Sequence, residues 1–323
     1  MSQYPSADTP NAPAAPQPLV AILLCTYQGE DFLAAQLNSI ARQTHRRWKV
    51  WASDDGSRDK TLAILAHYQK QWGDALLSVL PGPGAGFVAN FMSLACNADI
   101  RADHYAFADQ DDLWESDKIA RAVAWLEGMP NDMPALYMSR TRLIDEDGAE
   151  LGFAPLFTAR PPTFANAMVQ NIGGGNTMVF NAAAQRLIAA NTKDAGMVSH
   201  DWWVYMLVTG AGGRAFYDTY PGVRYRQHSE NLVGSNAGFL ARLWRAALVF
   251  GGRFKDWSDR NVRSLTPVRE LLTPENRIIF DHFAAARSGP LPLRLLALRR
   301  SGVYRQGFID NVGLYVAALF NRL

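Results

Sequence analysis

Apolar residues run unbroken through residues 19–27, "LVAILLCTY", and then recur at helical spacing, with Phe32, Leu33, Leu37 and Ile40 on one stripe. A continuous apolar run of this kind suits a strand covered on both faces. The alternation repeats. "WKVWAS" (48–53), "LLSVL" (76–80) and "HYAFA" (104–108) read as strands. Between and after them come helical patterns over Leu62, Leu65 and Tyr68, over Phe91, Leu94 and Ala95, and from Asp117 to Leu126, where Ser116 is placed to cap. Strand–helix alternation predicts an α/β protein with a Rossmann-like, mostly parallel sheet flanked by helices on both faces. Beyond residue 130 the pattern is mixed. "ALYMSRTRLID" (135–145) reads as a strand, "EDG" (146–148) as a turn, and "GGGNTMVFN" (173–181) as a glycine loop feeding a short strand. "HDWWVYMLV" (200–208) reads as the start of an amphipathic helix, and residues 213–228 as strand segments broken at Pro221-Gly222. From residue 237 onward the pattern is helical and basic.

Three polar stretches stand where strands end: "CTYQGE", "SDDGSRD" and "ADQDDLW". Ligands of open parallel sheets bind beyond the carboxyl ends of the strands, so these stretches should converge on one rim. Asp109, Asp111 and Asp112 lie within four residues and repel one another. Asp109-Gln110-Asp111 fits a site for a divalent cation and a diphosphate, since hard cations take carboxylate and phosphate oxygens together. The plainer reading is a solvated acidic turn before a helix. Asp54 and Asp55 can accept from a pyrimidine N3–H, or simply form an Asx turn; both can hold. Asp201 opens a helix, as an N-terminal cap or as a general base. Trp202 and Trp203 follow it, and two adjacent tryptophans should not share one buried face, so at least one is expected to line a cleft or an interface; in the functional reading it forms an aromatic wall for a sugar. His228, among Gln227 and Asn231, reads as structural or as part of a ligand-facing loop.

Composition narrows the classes. The chain has 323 residues, 48% of them hydrophobic, and a formal net charge of +2, which carries no overall signature of nucleic-acid binding. Two cysteines, Cys25 and Cys96, do not make a disulfide framework or a thiolate metal site and suit a reducing cytosol. Residues 1–18 are rich in Pro, Ala and Ser, lack the pattern of a secretory signal, and read as a disordered leader. No apolar run reaches bilayer-spanning length.

In this order the stretches resemble family 2 glycosyltransferases of the GT-A fold. The likeness runs from "AILLCTYQGEDFLAAQLNSIARQT" through "WASDDGSRDKT", "GFVANF", "YAFADQDDLWESDKI", "GGGNTMVFN" and "HDWW" to "YRQHSENLVG". The combination of "DQDDLW", "HDWW" and "YRQHxxNxxG" is similar to bacterial rhamnosyltransferases of cell-surface polysaccharide assembly. The resemblance implies a GT-A domain over residues 19–235, followed by a helical, basic extension over 236–323. It implies an inverting, Mg2+- or Mn2+-dependent transfer from a nucleotide-sugar donor, dTDP-L-rhamnose first, to a glycan or lipid-linked acceptor. Thr26 and Tyr27 would sit by the base and ribose, Asp55 by the pyrimidine, and Asp109 with Gln110 by the donor. Asp109 and Asp111 would hold the metal, with His228 a further metal or diphosphate contact. Asp201 would be the base, and Trp202 and Trp203 would face the acceptor. One departure is Ser139-Arg140, where such enzymes often carry an acid.

Rival readings stay open. Another UDP or dTDP sugar would use much the same residues, and an inactive nucleotide-sugar-binding protein would keep the fold. A nucleotidyltransferase would need a basic, glycine-rich loop after the first strand, where this chain has the acidic "CTYQGEDF". From residue 287 onward six arginines face one acid, Asp310, and they flank apolar stretches such as "LPLRLLALRR" and "VGLYVAALF". That pattern suits attachment to the inner face of the cytoplasmic membrane, and it equally suits a bundle packed on the catalytic domain. The expected location is cytoplasmic.

Overall fold

A computed structural model describes residues 17–192, 196–227 and 252–323. The first half alternates as expected: β1 (Val20–Thr26), α1 (Leu33–Ala41), β2 (Trp48–Asp54), α2 (Thr61–Trp72), β3 (Leu77–Pro81), α3 (Phe87–Ala95) and β4 (His104–Asp109). The second half holds β5 (Leu113–Trp114), α4 (Lys118–Leu126), β6 (Ala135–Ile144), β7 (Glu150–Phe153), α5 (Phe164–Ala167), β8 (Val179–Asn181), α6 (Ala182–Asn191), α7 (His200–Gly210) and β9 (Arg214–Arg226). Among the described residues four α-helices follow: α8 (Arg253–Leu265), α9 (Pro274–Ala285), α10 (Leu291–Ser301) and α11 (Phe308–Leu319).

The described strands form one sheet in the order β3-β2-β1-β4-β8-β6-β9-β5, with β7 paired to β6. Strands β3, β2, β1 and β4 are parallel. β8 runs antiparallel between β4 and β6, which leaves β6 and its parallel neighbour β9 pointing the same way as β4. The unbroken apolar run of β1 has its cause here. Val20, Ile22 and Leu24 enter one core layer, and Ala21, Leu23 and Cys25 enter the other. The layer holding Ala21 and Leu23 continues without a break into Phe254, Phe283, Leu298 and Leu314 of the C-terminal helices.

Three local expectations are corrected. Ser116 does not cap α4. The helix begins one residue later, and the carboxylate of its N-cap residue Asp117 accepts from the Tyr220 hydroxyl at 2.8 Å. β9 is not broken at Pro221-Gly222. The strand runs on through all thirteen residues, ten of them paired with β6; the register shifts around Ser139–Thr141 and skips Thr219, Tyr220 and Gly222, and Pro221, which has no N–H to give, sits at that irregularity. α7 is not amphipathic. From Trp202 to Gly210 every residue is buried, because the helix is enclosed by the sheet on one side and by α5, α6 and α8 around the rest.

Candidate active site

The parallel register brings the polar stretches together. Thr26 stands opposite Asp54, and Cys25 opposite Asp109, so all three strand ends open on one rim. The loop after β1 is then moulded by its neighbours. Four successive backbone N–H groups, at Tyr27, Gln28, Gly29 and Glu30, donate to Gln110 Oε1 (2.8 Å), Ser57 Oγ (2.9 Å), Thr61 Oγ1 (2.8 Å) and Asp59 Oδ2 (2.9 Å). Gln28, at φ 50°, returns its side-chain oxygen to the Arg58 N–H at 2.7 Å. Gln110 also donates to the Tyr27 carbonyl at 2.8 Å, so both ends of its amide are spent on one residue's backbone. Gly29 is required there, since a Cβ would lie 2.3 Å from Gln110 Oε1. Backbone groups seldom go unpaired, and here side chains from two other loops pair them.

The expected site residues other than His228 lie among the described residues. Thr26 is buried, and its hydroxyl donates to Asp54 at 2.9 Å, so that side chain supports the rim from below and does not open onto it. Asp54 also accepts from the Ser57 N–H at 2.8 Å and the Ser57 hydroxyl at 2.6 Å, which is the turn-forming role. Tyr27 projects outward, 58% exposed. The Asp55 carboxylate takes the Gly84 and Gly86 N–H groups at 2.7 and 2.8 Å and so ties down the Pro/Gly loop beyond β3.

The acids form the electrostatic centre. Asp109 is raised to about 8, first by desolvation and then by the charges of Asp111 and Asp201, with Lys118 acting in the other direction. Asp201, from α7, is tied to the acidic turn through two adjacent residues, since the Gly175 N–H donates to Asp201 and Asn176 Nδ2 to Asp112. Asp201 lies in the first turn of α7. Its Oδ1 accepts from the Ser199 hydroxyl and from the Trp202 N–H at 2.7 Å, and its Oδ2 from the Gly175 N–H at 3.1 Å. His228 lies outside the described residues.

The tryptophan expectation is overturned. Trp202 and Trp203 are 7% and 0% exposed. Their indole N–H groups donate to the Ala167 carbonyl at 2.6 Å and to Thr192 Oγ1 at 3.1 Å. A helix surrounded on all sides can bury two adjacent large side chains on two different faces, so neither is left to line a cleft.

Sequence reasoning missed several residues that organise the site. Asp112 is fully buried and accepts from Asn176 Nδ2 at 2.5 Å and from the Arg226 N–H at 3.2 Å; burial, then Asp111 and Asp109, pushes its carboxyl well up. Arg226 lies over the Phe32 ring at 4.6 Å and donates from Nε to the Asp111 carbonyl at 3.0 Å, which pins the acidic turn through its backbone. Lys118 is buried with its ammonium 3.6 Å from the Trp114 ring centre, and burial lowers it to about 7 against the pull of Asp112 and Asp109. His200 stacks on Phe91 at 4.0 Å, and neither of its ring nitrogens has a hydrogen-bond partner among the described residues. Its Nε2 would be 2.3 Å from a Cβ on Gly175, so the glycine lets the loop lie on the imidazole. The glycine run and the His before Asp201 were the available signals for this pair. Nothing local marks Asp112 apart from Asp111.

Among the described residues no group of three or more His, Cys, Asp or Glu side chains is arranged to hold a metal ion. The donor chemistry still fits a hard divalent cation that takes its remaining ligands from phosphate. Asp109 and Asp111 would supply oxygens, and a cation there would relieve both the burial of Asp109 and its repulsion by Asp111.

A sheet with parallel acid-bearing strand ends, crossed by a helix that brings a further carboxylate to the same rim, is the GT-A glycosyltransferase architecture. Solved structures agree on the fold. The mannosyltransferase PcManGT of Pyrobaculum calidifontis, in complex with GDP-Man and Mn2+, superimposes with a TM-score of 0.51 at 18% identity over 95% of this chain and 86% of that one. TarS 1–349 of S. aureus, in complex with UDP-GlcNAc, gives 0.53 at 15% identity over 94% and 90%. The chain belongs to glycosyl transferase family 2, whose family model matches residues 21–184. It is 31% identical over 242 residues, 70% of its length and 78% of the relative's, to the dTDP-rhamnosyl transferase RfbG of Shigella flexneri. Over 135 residues it is 28% identical to a putative teichuronic acid biosynthesis glycosyltransferase, TuaG, of Bacillus subtilis, covering 42% of this chain and 51% of that one. The protein is a glycosyltransferase.

Proposed function

We propose that this glycosyltransferase moves L-rhamnose from dTDP-L-rhamnose, with inversion at the anomeric carbon, to a glycan or lipid-linked acceptor in cell-surface polysaccharide synthesis. The observation that carries the reading is that adjacent residues join the two acidic elements: the Gly175 N–H bonds to Asp201, and Asn176 Nδ2 bonds to Asp112 of the acidic turn. The likeness to the dTDP-rhamnosyl transferase over most of both chains supports the donor.

In this reading the exposed Tyr27 ring lies along the base, and Asp55 turns one carboxylate oxygen to the pyrimidine N3–H. Thr26 and Gln110 act by holding the loop. Asp109 and Asp111, with His228 by resemblance, would hold Mg2+ or Mn2+. When bound, the cation stabilises the charge that develops on the departing diphosphate. Asp201 takes the proton of the acceptor hydroxyl as that oxygen attacks from the face opposite the leaving group. Its Oδ2 already receives the Gly175 N–H and keeps lone-pair capacity for the hydroxyl. General-base help of this kind is worth roughly 10²- to 10⁴-fold.

Titration calorimetry with Mn2+ should show dTDP-rhamnose and dTDP binding more tightly than GDP or GDP-mannose, and proton NMR of the product should show an inverted anomeric centre. Equal or better binding of GDP refutes the donor; a retained configuration refutes the mechanism.

A further inference from the structure

The sequence left open whether the basic C-terminal helices pack on the catalytic domain or meet a membrane. In the structure their two faces differ. The inner face of α11 is core: Leu314, Ala317 and Ala318 are buried, as is Leu298 of α10. The outer face is apolar and open. Phe308 is 84% exposed and Ile309 75%, and Val312, Tyr315 and Leu319 follow at spacings of three and four along the same helix. Leu291, Leu293 and Leu296 of α10 are exposed as well. Scattered apolar side chains on a surface need no explanation, but a continuous stripe on one helix does.

We propose that this stripe is the seat for an anionic phospholipid bilayer, with α11 lying in the plane of the headgroups. Charge complementarity selects the occupant. From residue 287 to the last residue the chain has six arginines and one acid; Arg287 is buried in an ion pair with Asp259, which leaves five arginines against Asp310. Two of those arginines reach α11 with their side chains: Arg305 comes within 3.9 Å of Asp310 in the first turn, and Arg294 donates to the Leu319 carbonyl at 3.3 Å; Arg322 follows the helix, its backbone N–H bonded to the Ala317 carbonyl at 2.7 Å. Arg299 and Arg300 are exposed in the last turn of α10. Apolar side chains framed by arginine, with Phe and Tyr among them, match the interface of a leaflet rich in acidic lipid. A second copy of the chain fits poorly, because a symmetric contact would set these arginines against their own counterparts. No described helix is long and apolar enough to cross the bilayer, so the seat lies on it.

The seat is rigidly joined to the site. Asn276 of α9 donates to the Thr209 and Gly210 carbonyls at the end of α7, at 3.0 and 2.9 Å, and Trp257 of α8 packs edge-on against Trp202 at its start. The helix that carries Asp201 is thereby fixed against the bundle that carries the stripe. Presentation of the site to a lipid-borne acceptor rests on the function proposed above; the bilayer seat does not.

The test is flotation of the full-length protein with vesicles of phosphatidylcholine alone or with 30% phosphatidylglycerol, beside dTDP-rhamnose hydrolysis with Mn2+ in the absence of vesicles. Wild type should float with the anionic vesicles and at least tenfold less with neutral ones, and 0.5 M NaCl should weaken the binding. The triple variant Phe308→Ser, Ile309→Ser, Val312→Ser should lose flotation at least tenfold with an unchanged melting temperature, and Arg299→Glu with Arg300→Glu should weaken it. Wild type that stays in solution at low salt, or a triple variant that floats equally, overturns the seat. So does sedimentation showing that the triple variant dissociates a dimer or releases an acidic protein partner. Absence of hydrolysis in wild type bears on the function alone.

Discussion

Gln110 offers a sharp test, because both ends of its amide go to the backbone of Tyr27, one bond each at 2.8 Å. Gln110→Met keeps the length and removes both bonds. At a net 0.5–1.5 kcal/mol for an ordinary hydrogen bond, Tyr27 loses roughly 1–3 kcal/mol of local order. The amides of Gln28, Gly29 and Glu30 keep their own partners, so the loop loosens at Tyr27 and does not unravel. If donor binding needs Tyr27 in place, the apparent Kd rises by the inverse of the competent fraction, about 5- to 150-fold for that range. Gly29→Ala attacks the same clamp from the other side, with its methyl 2.3 Å from Gln110 Oε1. Two substitutions that break one interaction should not add, so the double variant should bind about as weakly as the worse single one. Titration of dTDP into each protein measures the effect, with thermal unfolding as the control for the fold. Binding by Gln110→Met within twofold of wild type, or full additivity of the pair, would refute the clamp.

Asp201→Asn should lower turnover by roughly 10²-fold or more, since base catalysis is lost, while the Kd for dTDP with Mn2+ changes far less, because Asp201 bears on the donor side only through its charge on Asp109; single-turnover transfer beside calorimetry measures both. Gly175→Ala forces a Cβ within 2.3 Å of His200 Nε2 and moves the N–H that Asp201 accepts, so kcat should fall at least tenfold with dTDP affinity kept; unchanged kcat would contradict it. Burial depresses His200 to about 4 from the ordinary 6.5, with Asp201 opposing the shift, so the unfolded chain binds the proton first as pH falls. The stability tied to its neutral form is complete above about 6.5 and is lost on acidification towards 4, up to roughly 3 kcal/mol. Asp109, raised to about 8, titrates in the opposite sense but is common to wild type and variant. His200→Leu should therefore lose less stability than wild type between pH 7 and pH 4.5 in urea unfolding, and parallel profiles would count against this account.

Much of the fold was legible because its cause is local. The run from Val20 to Thr26 is apolar at every position because both sheet faces are covered, and a rule of strand ends was enough to gather Asp55, Asp109 and Asp111 on one rim. The acid on α7 was also readable as the first turn of a helix. What the sequence by itself could not determine is which groups those side chains meet. Gln110 resembles a ligand contact until the fold sets it beside the Tyr27 backbone, 83 residues earlier. Asp112 and Asp111 are neighbours of one chemistry, yet Asn176 and the Arg226 backbone claim Asp112 alone and bury it. Trp202 and Trp203 suggested a cleft because helical periodicity describes one covered face. Only the packing of α7 against the sheet, α3, α5, α6 and α8 covers the remaining faces. Periodicity reports the burial an element needs for itself. Hydrogen-bond partners and second covered faces come from segments far away in the chain, and tertiary structure alone brings them into contact.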